Sequence, residues 1–416
     1  MTLLRYLGVA TFLLSLPMTA MAAECNDTSA RPEVGKPLQA ASSALKAKNF
    51  KDAAAELKKA EGAGNRCPYE NFIIEQMRAA VATASGDAAT AIRAHEALLG
   101  TGRLSAIEQQ HSMQALGALY YQTKDYGKAI SWTNKYFQAG GSDPQMKMMV
   151  AQSYYLSNDC ANAVKVQQEQ ISSDIKNERT PPESGLQLLA ACYSQLKDGT
   201  NLFKAREQLV GFYPKKEYWG DLLKSVANKP GFADRLALDV SRLEYALGNM
   251  TSDARYMEAA QYALMTGASG EAKQIVDRGF ATKVLGQGQQ ADRHNRLRTM
   301  VVDSATKDEP QLAAKVEDAQ ANLKNGDAIV AAAFAYVGFG QAEKAIPVIE
   351  QALAKAEFKR KEDAKLHLAL AYIGAGQQSK ALPVLASVTG NDGAADIARL
   401  WTLFLKQNPK AKLTPQ

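Results

Sequence analysis

Histidine, cysteine and tyrosine are the residues of this sequence whose chemistry could define a site. Histidines bind metals or transfer protons when a second ligand or a carboxylate lies at a fixed spacing, as in H-E-x-x-H. The four histidines are far apart and none has such a spacing: His95, His111, His294 and His367. We therefore predict no metal site. His95 and His367 fall within helical patterns and are interpreted as surface or groove residues.

Motifs for nucleotides and for nucleophilic catalysis are also missing from the sequence. The stretch "LGQGQQ" (residues 285–290) contains two glycines, but it follows no predicted strand and lacks the third glycine of a dinucleotide-binding turn. Neither G-x-x-x-x-G-K-[ST] nor G-x-S-x-G occurs. The sequence therefore predicts no catalytic residue and no cofactor, and we expect the protein not to be an enzyme.

The first 22 residues have the pattern of a secretory signal peptide. A basic residue, Arg5, precedes an apolar run that ends at Pro17, and Ala20 and Ala22 stand in A-x-A spacing. Cleavage is expected after Ala22. The apolar run is too short to span a bilayer, and we expect no transmembrane segment in the mature chain. The sequence thus predicts export, with a periplasmic location.

Composition and charge limit the partners of the mature chain. Of the 416 residues, 46% are hydrophobic and 22% are charged, which is typical of a globular protein. Removal of the signal lowers the net charge from +6 to +5, because Arg5 is its only charged residue. Basic and acidic residues alternate along the chain instead of forming blocks, so nucleic-acid binding is not expected.

A recurring pattern of small residues and tyrosines explains most of the remaining sequence. In "ALGALYYQTKDYGKAISW" the positions are Leu116, Gly117, Tyr120 and Ala129. The same positions recur 34 residues later as Val150, Ala151, Tyr154 and Ala163. Further copies are Ala332, Ala333, Tyr336 and Ala345, then Leu368, Ala369, Tyr372 and Ala381. This spacing resembles the tetratricopeptide repeat, or TPR.

The resemblance implies an all-α fold, an α-solenoid of antiparallel helix pairs wound as a TPR-like right-handed superhelix. The implied organisation is a signal peptide (1–22), an N-terminal TPR-like array (23–213), degenerate helical repeats (214–325), a C-terminal TPR pair (326–390) and a capping helix with a tail (391–416). Gly117, Ala129 and their counterparts would let paired helices approach closely. The turns "GDA", "KDY", "SND" and "FGQ" would hold left-handed or capping residues.

This packing scheme assigns no role to the second tyrosine of each doublet. Tyr121 and Tyr155 lie 34 residues apart, one repeat from each other, at a position that faces the groove in repeats of this type. With Gln114, Met148 and Gln152 they form the predicted partner-binding groove, since tyrosine and methionine are common on peptide-binding surfaces. The alternative is that each tyrosine packs against the adjacent first helix.

The same helix-pair arrangement predicts which cysteines pair. An even number in an exported chain permits two disulfides, and no C-x-x-C is present. Cys160 begins a second helix and Cys192 lies near the end of the next first helix, so these two are predicted to pair. Cys25 and Cys67 would then form the other disulfide. The alternative for Cys160 and Cys192 is two buried thiols that never bond.

The resulting functional prediction is an exported, non-catalytic TPR scaffold that binds a protein or peptide partner in the cell envelope. Residues 213–249 and 359–376 also resemble exported proteobacterial repeat proteins, some of them associated with TonB-type energy-transducing systems. That resemblance implies a role in envelope transport or assembly. The alternative is a cell-wall glycan-binding protein or a non-catalytic subunit of an envelope enzyme, although no tryptophan falls at a groove position.

Overall fold

The computed structural model describes residues 27–413, which form two units. The first unit ends at Lys197 and the second begins at Asp198. The sequence analysis placed residues 198–213 with the first array, whereas in the structure they belong to the second unit. No β-strand occurs between residues 27 and 413. The predicted signal peptide and Cys25 lie outside the described residues.

The first unit consists of nine α-helices in its described part. They are α1 (Pro32–Lys46), α2 (Phe50–Glu61), α3 (Pro68–Ser85), α4 (Ala88–Gly100), α5 (Ala106–Gln122), α6 (Tyr126–Gln138), α7 (Pro144–Leu156), α8 (Cys160–Lys176) and α9 (Glu183–Gln195). Helices that follow each other in sequence pack together, and the first helices α5, α7 and α9 also contact one another in turn. This is the stacking of helix pairs that the repeat pattern predicts.

The second unit contains twelve α-helices in its described part. They are α10 (Gly199–Phe212), α11 (Lys216–Ala227), α12 (Ala237–Ala246), α13 (Asp253–Met265), α14 (Ser269–Ala281), α15 (Ala291–Asp308), α16 (Leu312–Gln320), α17 (Gly326–Gly338), α18 (Ala342–Lys355), α19 (Lys361–Gly374), α20 (Gln378–Ala386) and α21 (Ala394–Gln407). Short 3-10 turns precede α12, α15 and α16. The all-α fold of packed helix pairs is therefore confirmed.

The turns between paired helices of the first unit share one local design. In the "KDY" turn Lys124 has a left-handed backbone with φ of 64°, and Asp125 accepts a hydrogen bond from the Lys128 backbone N–H at 3.1 Å. Gly86 with Asp87 and Asn158 with Asp159 repeat this arrangement. The aspartate satisfies a backbone donor that the helix itself leaves unpaired. The capping aspartate thus marks where α4, α6 and α8 begin.

The small residues of the repeat allow the close packing that was predicted for them. A Cβ atom on Gly117 would lie 2.6 Å from Oγ1 of Thr133 and 3.0 Å from the methyl carbon of Met146. Ala129 and Ala163 are completely buried. The first tyrosine of the doublet, Tyr120, is 6% exposed. These positions serve packing, as the sequence analysis concluded.

The helix α21 covers the end of the core of the second unit. Its residues Ile397, Leu400, Trp401 and Phe404 are all buried, as the helical spacing of the apolar positions predicts. The helix packs against α12, α19 and α20. The Trp401 and Phe404 rings meet edge to face, with centroids 5.7 Å apart. The chain then continues past α21 as residues 408–413.

Candidate functional site

The predicted groove residues lie on neighbouring first helices of the first unit. Gln114 and Tyr121 are on α5, and Met148, Gln152 and Tyr155 are on α7. All five are half-buried, so each has both a packed part and an accessible part. Because α5 contacts α7 directly, residues one repeat apart on these helices share one surface.

Tyr121 and Gln152 are joined across this helix contact. The Tyr121 hydroxyl donates a hydrogen bond to Oε1 of Gln152 over 3.0 Å. The Tyr121 ring also packs against the buried cluster of Tyr136, Met146 and Met149, and burial, together with the nearby Tyr126, raises the pKa of Tyr121. Tyr121 therefore packs against the next pair, as the alternative interpretation holds, and at the same time orients Gln152.

Gln114 and Met148 extend the same surface in two directions. The Gln114 amide donates through Nε2 to Oδ2 of Asp143, at 2.8 Å. Asp143 is the N-cap of α7, so Gln114 is fixed to the start of the neighbouring first helix. Met148 instead approaches α9: a Cβ atom on Gly185 would lie 3.2 Å from the Met148 methyl carbon. The surface thus runs from α5 across α7 to α9.

Tyr155 belongs to a different cluster from Tyr121. It packs against buried Ala151, Cys160 and Cys192, which lie on α7, α8 and α9. The structure therefore brings Tyr121 and Gln152 into direct contact and places Tyr155 one repeat further along. The spacing of one repeat between the two tyrosines follows from their 34-residue separation.

Cys160 and Cys192 are adjacent, but they are not bonded. Both are free, buried thiols with sulfur atoms 2.8 Å apart, beyond the S–S bond length of about 2.05 Å. The Cys160 thiol also lies 3.1 Å from Oε1 of Gln195. Burial and the contact with Cys160 raise the pKa of the Cys192 thiol. The predicted proximity of the two sulfurs is present, and the disulfide between them stays a prediction.

Cys67 and His95 have surroundings that are typical of structural residues. Cys67 is disulfide-bonded and precedes α3, while Cys25, its predicted partner, lies outside the described residues. Burial lowers the pKa of His95 to about 4, so this histidine is neutral at pH 7. In the part of the chain that is described, no three His, Cys, Asp or Glu side chains are grouped so that they could hold a metal ion.

A buried polar network in the second unit was missed by the sequence analysis. Arg242 on α12 donates to Oδ1 of Asp239 at 2.6 Å and makes two hydrogen bonds of 2.8 Å to the carboxylate of Glu271 on α14. His367 on α19 lies 3.1 Å from Asp239. The Phe334 ring packs against both the Arg242 guanidinium and the His367 ring, with its centroid 4.7 Å from each. Two carboxylates therefore share one arginine.

Electrostatics keep Asp239 and Arg242 ionised although both are buried. Burial alone would raise the pKa of Asp239, but the charges of His367 and Arg242 and their hydrogen bonds hold it at about 2. Asp239 and Arg242 are three residues apart in the helix "ALDVSRLEYA", beside the buried Leu238, Val240 and Leu243. Two charges at buried helix positions are the signal that could have identified the network, because such charges need partners.

The network forms one wall of a cavity of about 160 Å³ in the second unit. Arg242 and Glu271 provide its charged wall, and Ile275, Phe334 and Val337 provide apolar surface. Lys412 and Leu413, which follow α21, close another side. The cavity therefore combines an apolar interior with a carboxylate and a lysine at its edge.

The fold and the site together define an all-α helical-repeat protein. No protein-family profile matches the chain, and no curated protein matches it. Among solved structures, the chain is similar to the apo form of RapI, with 12% identity over 66% of this chain and 87% of that one, at a TM-score of 0.36.

Two further solved structures carry the repeat in their description. The TPR2AB domain of yeast Sti1, in a complex with pHSP90, is 15% identical over 65% of this chain and 98% of that one, at a TM-score of 0.24. The P58(IPK) TPR domain is 13% identical over 91% of this chain and 99% of that one, at a TM-score of 0.22. Since these scores are low, the helix-pair fold is assigned from the packing of this chain's own helices.

Proposed function

We propose that this protein is a non-catalytic scaffold that binds a partner protein or peptide on the surface formed by α5 and α7. The observation that carries the proposal is the hydrogen bond from Tyr121 to Gln152, which holds a glutamine of one repeat against a tyrosine of the other. A side chain that is already oriented loses less conformational entropy when a partner binds.

The hydrogen-bonding groups of this surface fit a polypeptide backbone. Gln152 uses its carbonyl oxygen for Tyr121 and retains N–H donors, while Gln114 uses an N–H for Asp143 and retains a carbonyl acceptor. A partner backbone offers both C=O and N–H groups. Half-buried Met148 and Tyr155 add adaptable apolar contact area beside these amides. This combination favours a peptide over a ligand with a single type of polar group.

The place of action is proposed from the sequence alone. The signal-peptide pattern supports export to the periplasm, and the resemblance to TonB-associated repeat proteins supports a role in envelope transport or assembly. No helix within residues 27–413 is long and apolar enough to cross a membrane. The scaffold would then act on the partner after export.

The proposal is tested by capturing partners from a periplasmic extract with the full mature chain and with variants of the surface. The double substitution Gln114→Ala and Gln152→Ala removes both amides while leaving the tyrosines in place. The control is Gln138→Ala on α6, an exposed glutamine that is not one of the five surface residues. We expect the double variant to lose at least about tenfold in affinity for the captured partner, because it removes two hydrogen-bonding groups.

Circular dichroism and thermal melting separate binding from folding. The variants should keep the helical spectrum of the parent chain. Replacing Tyr121 and Tyr155 together by alanine should also weaken binding, and a stability loss of about 3 kcal/mol or more would show that these rings act as core residues. Unchanged capture by the Gln114 and Gln152 variant would contradict the proposed binding surface.

A further inference from the structure

The segment that follows α21 folds back onto the second unit. We call residues 408–413 the strap. Its backbone makes a turn, with the Ala411 N–H bonded to the Asn408 carbonyl at 2.9 Å. Gln378, at the start of α20, then donates through Nε2 to the Ala411 carbonyl, at 2.8 Å. A side-chain amide therefore holds a main-chain carbonyl of the strap, which is the contact that an extended peptide ligand would make.

Leu413 provides the apolar anchor of the strap. It is half-buried and packs on the core of the second unit. Gly374, at the end of α19, lies directly beside it, because a Cβ atom on this glycine would be 3.3 Å from Cδ1 of Leu413. The same Cβ would lie 3.3 Å from Val337 and 3.2 Å from Ala342. The ends of α17 and α19 with the start of α18 thus form a seat for one aliphatic side chain.

The charge of the cavity under the strap favours a basic neighbour of that side chain. Lys412, Leu413 and Glu271 all line the cavity. Glu271 is the acidic residue of the described lining, and it shares the guanidinium of Arg242 with Asp239. An acidic group in the lining favours a lysine next to the aliphatic residue.

We propose that this seat is a second peptide-binding cleft, and that the strap occupies it as an internal competitor of an external ligand. The ligand is an extended segment of a partner protein with a basic residue followed by a large aliphatic residue. Its main-chain carbonyl takes the hydrogen bond from Gln378, and its aliphatic side chain replaces Leu413 beside Gly374. The cleft belongs to the second unit and is independent of the surface on α5 and α7.

The strap is held through few groups, and its covalent attachment favours it over a free peptide. Its contacts are the Gln378 hydrogen bond and the packing of Ala411 and Leu413 on the core of the second unit. A tethered segment acts at an effective concentration in the millimolar range, so a free peptide of equal intrinsic affinity binds mainly when the strap is released. Its apparent dissociation constant is the intrinsic constant divided by the fraction of molecules with an open cleft.

The experiment measures binding of the strap sequence itself. An acetylated, amidated and fluorescently labelled peptide Asn-Pro-Lys-Ala-Lys-Leu is titrated with the full chain, and anisotropy gives the dissociation constant. In Leu413→Asp, a carboxylate is unfavourable in the apolar seat and is repelled by Glu271 in the same cavity. The strap is therefore released. We expect this variant to bind the peptide at least about tenfold more tightly than the parent chain. Lys412→Glu, at an exposed residue, should act in the same direction.

Two matched variants complete the test. Leu323→Asp changes an exposed leucine outside the cleft and should bind the peptide as the parent does. Adding Gln378→Ala to Leu413→Asp should reverse the gain, since the carbonyl of the peptide loses its donor. The proposal is overturned if the release variants bind no more tightly than the parent, including the case in which no variant binds. It is also overturned if Gln378→Ala does not reduce the higher peptide affinity of Leu413→Asp. A peptide with both lysines replaced by glutamate that binds as tightly as the strap peptide would overturn it too.

Discussion

The buried network of the second unit leads to a prediction about acid stability. We consider the substitution Asp239→Asn, which keeps the shape of the side chain and removes its charge. Asp239 is 2% exposed and is held by Arg242 and His367. An asparagine can still accept one hydrogen bond from Arg242, so the main loss is the attraction between opposite charges in a poorly solvated site.

The size of the effect follows from the pKa of Asp239. Its ordinary value is 3.8, and the folded protein holds it at about 2. A folded pKa below the unfolded one means that the ionised carboxylate stabilises the native state at every pH above the unfolded value. The difference corresponds to about 2 kcal/mol at pH 7. This contribution is lost as the pH falls from about 4 to about 2.

The assay is urea-induced unfolding, followed by tryptophan fluorescence between pH 7 and pH 2.5. Trp219 and Trp401 lie in the second unit, whereas Trp132 lies in the first, so a Trp132→Phe background makes the signal report on the second unit. We expect Asp239→Asn to lower the unfolding free energy by about 2 kcal/mol at pH 7. The difference in unfolding free energy between the parent and the variant should become smaller as the pH falls below 4.

The control and the refuting results are specific to this electrostatic explanation. Asp318→Asn removes an exposed carboxylate of the same unit and should change the free energy of unfolding by less than about 0.5 kcal/mol. If the gap caused by Asp239→Asn has the same size at pH 7 and pH 2.5, the loss is steric and the pKa argument fails. A variant as stable as the parent at pH 7 would show that the network contributes no net stability.

The remaining predictions concern packing and redox state in the first unit. Gly117→Ala should destabilise the protein by about 1 to 3 kcal/mol, because the new Cβ would meet Thr133 at 2.6 Å. The matched change Gly35→Ala meets no neighbouring side chain within 4 Å and should stabilise the protein by about 0.5 to 1 kcal/mol. Equal effects in thermal melts would contradict the close approach at Gly117. Treatment with oxidised glutathione should join Cys160 to Cys192 and raise the unfolding free energy by about 3 to 4 kcal/mol. Free thiols at both positions in non-reducing peptide maps after this treatment would exclude the link.

The helix pairs could be predicted because their determinants are local. The 34-residue recurrence places small residues on facing helices, and Asp87, Asp125 and Asp159 each cap the following helix within three residues. The residue type at the left-handed position before the cap is predicted less well. Gly86 and Asn158 fit the expected residue types, but Lys48 and Lys124 adopt the same backbone conformation. At these positions the cap and the packed helices outweigh the small local strain of a left-handed lysine.

The binding surface was predictable only in part, for a physical reason. The period places Tyr121 and Gln152 near each other, yet it does not reveal that their side chains are hydrogen-bonded or that the Tyr121 ring packs on Tyr136. The polar network was not predictable from a repeat period at all. His367 is 128 residues from Asp239, and Glu271 is 29 residues from Arg242, so the partners are brought together only by the tertiary fold.

The cysteine pair shows how a correct geometric prediction can leave the chemistry open. Helix packing alone sets the distance between the two thiols, and the period predicted it. Whether the sulfurs are bonded depends also on the redox potential of the compartment, which helix packing does not determine. Export to an oxidising periplasm would favour the disulfide between Cys160 and Cys192, whereas a reducing compartment would preserve the dithiol of this structure. The state of this pair in protein isolated without reductant therefore also tests the proposed location.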